Sequence, residues 1–227
     1  MRIVLDGMGG DNAPQVVVEG AVASTKEMPH EIIIVGQEDA INECLKKTGY
    51  TGDKIRVVNA TEVITNEEAP VRAVRSKKDS SMVKGKNMVK AGEGDVFISA
   101  GSTGALLAGG LFILGRIQGI DRPSLATVYP VIGSVPSLLT DAGANAECKP
   151  NNLLEFGIMG SVYMEKVMGR ENPTVGLVNN GSEEKKGTTL TKAAHEMLKK
   201  SHLNFIGNVE ARELPNGACD VIVADGF

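Results

Sequence analysis

The chain has no tryptophan, three tyrosines and five phenylalanines, so aromatics make up 4% of its 227 residues. The platforms on which nucleic-acid binders stack bases are missing. A net charge of −4 supplies no phosphate-tracking surface. Nucleic acid is therefore not an expected partner. Cysteine is also scarce. Cys44, Cys148 and Cys219 are odd in number and scattered, and no pair has the spacing of a metal or redox motif. They read as reduced thiols of a cytoplasmic protein, and no metal is expected. The three histidines, His30, His195 and His202, form no cluster, and the last two read as solvated residues of the Lys-rich segment "AAHEMLKKSH". Neither G-x-G-x-x-G nor G-x-x-x-x-G-K-[ST] occurs, which disfavours a dinucleotide site and a Walker-type nucleotide site. "MRIVLDGMGG" opens on a strand pattern rather than on a signal peptide. Charge is missing over one long stretch, "VFISAGSTGALLAGGLFILG", between Asp95 and Arg116. Its length suits a membrane span of about 20 residues. However, Ser99, Gly101, Ser102, Thr103 and Gly104 would fall where hydrocarbon is deepest. The better parse is a buried strand "VFIS", a tight loop "AGSTG" and an apolar helix ending near Arg116.

Glycine is plentiful, at 27 residues, and 42% of the chain is hydrophobic, enough for one large domain or two lobes. One phrase recurs: a short apolar run, then Gly, Asp or Asn, then a helical pattern. "RIVLDGMGGD", "EIIIVGQED", "KIRVVNATE", "VFISAGSTG", "LATVYPV", "SLLTDAGAN", "TVGLVNNGSEE", "LNFIGNVE" and "DVIVADGF" are its instances. This alternation predicts an α/β chain with a largely parallel sheet. Ligands of such sheets gather at the carboxyl ends of strands, which makes the Gly/Asp/Asn loops the expected rim of a site. Asp11 or Asn12 is expected to cap a first helix with Pro14 in its first turn, Asn151 or Asn152 to start "LLEFGIMGSVYMEKVMG", and Thr188 or Thr189 to start "LTKAAHEMLKKS". "DVIVADGF" is a strand running into a loop, which reads as an interruption within a longer protein.

Four constellations can carry chemistry. In "DGMGGDNAP", Gly9 and Gly10 permit close backbone approach to a ligand, and Asp6 and Asp11 can orient hydroxyls or a metal. In "AGSTG", a strand–loop–helix element turns free N–H groups toward an anion at Gly101, Ser102, Thr103 and Gly104; an ordinary βα turn reads equally well from this stretch alone. "NNGSEEKKG" offers donors at Asn180, a base at Glu183 or Glu184 and a countercharge at Lys185 or Lys186, or is a charged surface turn. In "TDAGANAECKPNN", Cys148 lacks a nearby His, which disfavours it as a nucleophile. A basic block adds Arg72, Arg75, Lys77, Lys78, Lys84, Lys86 and Lys90 against Asp79 alone. It is either a solvated helix face or a dock for an acidic partner.

Taken in order from residue 1 to residue 227, "LDGMGGDNAP", "VRAVRSKKDSSM", "SAGSTGALLA", "DRPSLATVYP", "DAGANAECKPNNLLEFGIMG", "GLVNNGSEEKKG", "IGNVEARE" and "DVIVADGF" closely resemble the bacterial phosphate acyltransferases of phospholipid synthesis. Gly7 and Asn12 stand where that family commonly reads "DAMGGDHAP", and Ser102 where it reads Asn. The resemblance implies a three-layer α/β/α fold with a largely parallel mixed sheet, like the isocitrate dehydrogenase and phosphate acetyltransferase group. It implies one catalytic domain over 1–227, without the C-terminal third of the family. It further implies a homodimer without metal or organic cofactor, cytoplasmic and peripheral at the inner face of the cell membrane. Its partners would be acyl carrier protein, inorganic phosphate and a downstream glycerol-phosphate acyltransferase that uses acyl-phosphate.

Residues and resemblance agree on phosphate. The dianion is already a competent nucleophile, and a thiolate leaves readily because ordinary thiol pKa values lie near 8.5. Positioning and oxyanion stabilisation remain for the protein. Phosphate is expected at Gly101, Ser102, Thr103 and Gly104, with Gly9 and Gly10 closing the pocket. Asn145, Asn180 and Lys186 are expected to polarise carbonyl and phosphate. Arg72, Arg75, Lys77 and Lys84 are expected to dock the acyl carrier. The competing readings are a phosphate acetyltransferase using acetyl-CoA, a decarboxylating dehydrogenase, and a non-catalytic acyl-carrier or lipid-binding scaffold.

Overall fold

Ile32, Ile33, Ile34 and Val35 are four consecutive buried residues. A strand with both faces buried requires helices on both sides, and this run is the centre of such a sandwich. The computed structural model describes residues 1–227. The chain forms two units, Met1–Arg116 and Ile117–Phe227.

In the first unit, β1 (Arg2–Asp6), β2 (Glu31–Gly36), β3 (Ile55–Asn59) and β4 (Val96–Ile98) form a wholly parallel sheet in the order β3-β2-β1-β4. Helices α1 (Gln15–Glu27) and α2 (Glu38–Thr48) cover one face, where Val18, Ala21 and Ile41 pack on Ile32 and Ile34. Helix α4 (Ser81–Lys90) covers the other, where Met88 packs with Val4, Ile33 and Val35. Alternate residues of β2 thus feed opposite cores. Helices α3 (Pro70–Ser76) and α5 (Thr103–Gly109) join α4 through Ala73, Val74, Met82, Val83, Ala105 and Ala108. A π-helical turn, Gly110–Leu114, continues α5 and stops at Gly115. The charge-free stretch is therefore β4, a loop and this short helix, and no helix is long and apolar enough to cross a membrane.

Strand order locates the functional end of this unit. From β1 the chain steps outward to β2 and β3, then returns to place β4 on the other side of β1. The boundary between β1 and β4 is a topological switch point, and the loops leaving their carboxyl ends diverge to form a crevice.

In the second unit, β5 (Ala126–Tyr129), β6 (Ser137–Thr140), β7 (Thr174–Asn179), β8 (Asn204–Glu210) and β9 (Val221–Val223) lie in the order β5-β6-β9-β7-β8. Only β5 runs antiparallel, against β6. Helices α6 (Pro150–Lys166) and α7 (Thr189–Lys199) bury Leu153, Phe156, Met164, Ala194 and Leu198 against Leu138, Val175, Leu177, Val221 and Val223. On the opposite face, Leu214 of a 3₁₀ helix (Ala211–Asn216) packs with Val209, Cys219 and Ile222. The α/β/α class with largely parallel strands is as expected, but the strands divide between two sheets.

Helix starts are set by local chemistry. Thr188 is the N-cap of α7, its hydroxyl accepting from Thr191 N. Pro150 is the first residue of α6, and the Asn152 side chain reaches back 2.9 Å to the Lys149 N–H, so Asn151 and Asn152 lie inside the helix rather than before it. For α1 the cap position is Pro14 itself, after a turn through Asp11 and Asn12, and neither side chain caps it.

Candidate active site

The turns after β1 and β4 meet at the switch point. Asp6, 3% exposed at the end of β1, organises both. Its Oδ1 accepts from Met8 N at 3.1 Å, and its Oδ2 accepts from the Ser99 hydroxyl at 2.7 Å. Ser99 Oγ in turn accepts from Gly101 N at 3.0 Å. The two turns are so close that a Cβ on Gly9 would lie 2.7 Å from Asp6 Oδ2, 2.8 Å from Gly101 N and 2.9 Å from Ser99 Oγ. Glycine at position 9 is therefore a requirement of close approach. Gly10 follows with φ at +104°, the left-handed region that glycine reaches without strain.

Ser102, buried, is the N-cap of α5, and its hydroxyl accepts from Ala105 N at 3.4 Å. Its side chain is thus committed to the helix, and Gly101 N–H to Ser99. The amides of Thr103 and Gly104 are first-turn donors with no hydrogen-bond partner, on two exposed residues. The structure brings Gly9, Gly101 and Ser102 together within one unit and leaves Thr103 and Gly104 as its open donors. Asp6 serves as an orienter of a hydroxyl. Ser99 was not singled out from the sequence as its partner, because its role depends on a strand 93 residues away.

Lys86 departs from the basic-block reading. It faces inward from α4 with 2% exposure and its Nζ has no hydrogen-bond partner. The ammonium sits 4.9 Å from the Phe97 ring centre. Burial pulls its pKa down to about 8, opposed by the charge of Asp6. Two other cations of the block are paired. Lys77 pairs with Glu68 at 2.7 Å and donates to Val63 O, while Lys84 pairs with Asp79 at 2.6 Å and donates to Asn59 O. Hydrogen bonds from Lys84 and Thr61 hold the Asp79 carboxyl well below the usual carboxylate range. Arg72 and Arg75 remain exposed on α3, Arg75 stacked 5.0 Å over Phe112.

In the second unit the loops after β6, β7 and β9 leave the same sheet edge, because these strands are parallel. Asn145 follows β6 and is buried, its Nδ2 donating to Pro123 O and Asp141 Oδ2, both at 2.9 Å. Asp141, 2% exposed, also accepts from the backbone N–H of Leu125, Ala144 and Asn145, so it holds this loop as Asp6 holds its own. Gly226, beyond β9, donates to Asn145 O at 2.8 Å. After β7, Asn179 straps the next loop, accepting from Asn180 N and donating to Lys186 O at 3.2 Å. Asn180 and Lys186 are exposed on it. His195 is not a solvated residue: at 3% exposure its Nδ1 lies 3.0 Å from Asn208 Oδ1, and Asn208 Nδ2 donates to Glu183 O at 2.9 Å. The Lys-rich surroundings hid it, since His195 shares the inward face of α7 with Ala194 and Leu198. His202 is exposed. Cys148 Sγ donates to Asn145 O at 3.3 Å, and burial, reinforced by Asp225, raises its pKa. No three His, Cys, Asp or Glu side chains gather as a metal cluster.

Comparison with known proteins agrees with this fold. The family model described as "Fatty acid synthesis protein" matches residues 1–227. A phosphate acyltransferase of Alkaliphilus oremlandii is 58% identical over 227 residues, covering all of this chain and 68% of the relative. One from Clostridioides difficile is 54% identical over 227 residues, covering 100% and 67%. Among solved structures, a phosphotransacetylase from Streptococcus pyogenes superposes with a TM-score of 0.70 at 21% identity, covering 100% of this chain and 78% of that one. A branched-chain phosphotransacylase from Enterococcus faecalis gives 0.68 at 15% identity, covering 98% and 79%. These two likenesses concern the fold alone. The full-length family match and the identities above 50% decide the assignment: the chain belongs to the fatty acid synthesis protein family of phosphate acyltransferases, and is an acyltransferase.

Proposed function

We propose that the chain transfers a fatty acyl group from acyl-[acyl carrier protein] to inorganic phosphate, giving acyl-phosphate and free carrier thiol. The observation that carries this reading is the pair of glycine turns at the β1/β4 switch point, with the unpartnered amides of Thr103 and Gly104 beside them. Two aligned N–H groups at a helix start favour a dianion. A phosphate oxygen attacks the thioester carbonyl, a tetrahedral oxyanion forms, and collapse expels the carrier's thiolate. No enzyme nucleophile is needed, which suits a Cys148 whose thiol is held protonated by burial. Thr103 and Gly104 are assigned as the phosphate donors, and Gly9, Gly10, Gly101 and Ser102 as the turns that shape the pocket around it. Asn180 and Lys186, exposed on a strapped loop, are assigned to polarising carbonyl and phosphate. Asn145 has both amide hydrogens engaged, by Pro123 O and Asp141 Oδ2, and its Oδ1 is an acceptor, so in this arrangement it holds the loop and does not polarise.

Docking of the acidic carrier falls to Arg72 and Arg75, since Lys77 and Lys84 already neutralise Glu68 and Asp79. A homodimer, peripheral association with the inner membrane face of the cytoplasm, and hand-over of acyl-phosphate to a glycerol-phosphate acyltransferase complete the proposal. The test is kinetic. Thr103→Val is expected to raise the phosphate KM more than the acyl-carrier KM, whereas equal effects on both contradict a phosphate-specific role. Acetyl-CoA replacing long-chain acyl carrier as the better donor would favour an acetyltransferase instead.

A further inference from the structure

His195 is a buried titratable group to which the transfer chemistry assigns no part. It lies on the inward face of α7 with Ala194 and Leu198, where an apolar side chain would pack without the cost of burying a polar ring. Asn208, also buried, faces it from β8. Their contacts fix a direction. The Asn208 side chain meets the Glu183 carbonyl at 2.9 Å, and a carbonyl only accepts, so the group there is the Nδ2 amide. Oδ1 therefore points at His195 Nδ1, 3.0 Å away, and Nδ1 must carry the proton. Turning the Asn208 amide over would set two oxygens against each other at Glu183, and a donating Nδ1 prevents it. The Phe205 ring, edge to face at 5.0 Å, packs against the imidazole.

This chain of hydrogen bonds leads out of the core to a single turn. Glu183 O also accepts from Lys186 N at 3.0 Å, which closes the turn 183–186. Lys186 O accepts from Asn179 Nδ2 at 3.2 Å, and Lys199 draws the Glu184 carboxylate onto α7 at 2.6 Å. Gly181 lets the Lys186 stem lie close, since a Cβ there would come 3.1 Å from Lys186 Cγ. The backbone of the turn is thus pinned at both ends, while the Lys186 side chain is exposed. We propose that His195 is a positioning residue for the transfer reaction. Its Nδ1 proton orients Asn208, Asn208 holds the turn, and the turn aims Lys186. The inference rests on the reading that Lys186 polarises carbonyl and phosphate. His195 itself neither touches substrate nor transfers a proton to it.

Steady-state kinetics with phosphate and an acyl carrier thioester test this on His195→Leu, His195→Asn, Lys186→Met and the double variant Lys186→Met with His195→Leu. His195→Leu is expected to lower kcat/KM for phosphate about tenfold, because Lys186 is misplaced rather than lost. His195→Asn, whose amide N–H stands where Nδ1 stood, is expected to recover most of that loss. In the Lys186→Met background, His195→Leu is expected to cost little more, since nothing is left to aim. A merely structural histidine would cost as much there as in the parent, and that result overturns the role. So does a His195→Asn variant as poor as His195→Leu. If Lys186→Met impairs the reaction while His195→Leu leaves it unchanged, the role of His195 is overturned and the reading of Lys186 stands. If Lys186→Met leaves the kinetics unchanged, that reading is overturned, and the inference with it. Nitrogen-15 NMR of the parent's imidazole requires no variant: a protonated Nδ1 is expected, and a bare Nδ1 overturns the role.

Discussion

Gly9 and Lys86 set opposite limits on what a single residue reveals. "DGMGG" announces close backbone approach, and the structure supplies the reason in the 2.8 Å between an added Cβ and Gly101 N. Gly9→Ala is therefore expected to force the two turns apart, to cost about 1–3 kcal/mol of stability, and to abolish phosphate binding. A thermal melt beside a phosphate titration checks both. Lys86 read as one more surface cation, because charge runs are usually solvated and the sequence does not say that Gly109 and Phe97 face it. Its buried charge has a thermodynamic signature. The native pKa of about 8 lies below the ordinary lysine value of 10.5, so between these values the unfolded chain binds more protons. Stability from this group then rises with pH across that window. Lys86→Met is expected to be more stable than the parent at pH 7, by on the order of 3 kcal/mol at most, with the gap closing toward pH 10. Denaturant titrations at both pH values measure it; a gap that widens with pH contradicts the buried cation. Cys148→Ala is expected to retain most turnover, because the thiol is held protonated. Loss of activity together with an acyl adduct on Cys148 in the parent would contradict this.

At the scale of elements, loops are where function was partly legible and partly hidden. The loop bearing Lys186 was visible as "NNGSEEKKG", but its fastening was not. Asn179 grips it from β7, and Asn208 of β8, paired with His195 of α7, holds the Glu183 carbonyl. Asn208→Leu leaves the buried His195 Nδ1 without its partner, at a cost of about 1–3 kcal/mol, and leaves the Glu183 carbonyl with only the Lys186 N–H. It is expected to raise amide exchange across residues 183–187 and to lower turnover, while α6 keeps its protection. Unchanged exchange in that loop would deny Asn208 its role as a fastening. Of the four residues expected to dock the carrier, Lys77 and Lys84 meet acids from neighbouring loops, while Arg72 and Arg75 stay exposed on α3. Arg72→Glu with Arg75→Glu is therefore the charge reversal to make. It is expected to raise the carrier KM and flatten its salt dependence, since exposed charges steer association and are screened within about 8 Å at physiological salt. A carrier KM unmoved at low salt would show that the two arginines are simply solvated.

For the molecule as a whole, the alternation of apolar runs and glycine-rich turns was enough to predict an α/β chain with a largely parallel sheet, since each run is a strand with a turn at its carboxyl end, while the three-layer α/β/α arrangement was implied by the family resemblance. The alternation did not predict that the strands divide between two sheets, because a short apolar run carries no record of its neighbours. Strand order is a product of long-range packing. So is the switch point that brings the turns of β1 and β4 together. The charge-free stretch shows the same limit: its polar centre revealed a loop, while the partners of that loop, Asp6 and Gly9, lie some ninety residues earlier in the chain. The central claim is that phosphate itself accepts the acyl group, with no acyl-enzyme on the way. Intact-mass spectrometry of the chain incubated with a long-chain acyl carrier thioester, with and without phosphate, tests this most directly. The account predicts free carrier and acyl-phosphate only when phosphate is present, and a protein mass unchanged in both samples. Carrier deacylated without phosphate, or a protein heavier by one acyl group, would contradict it.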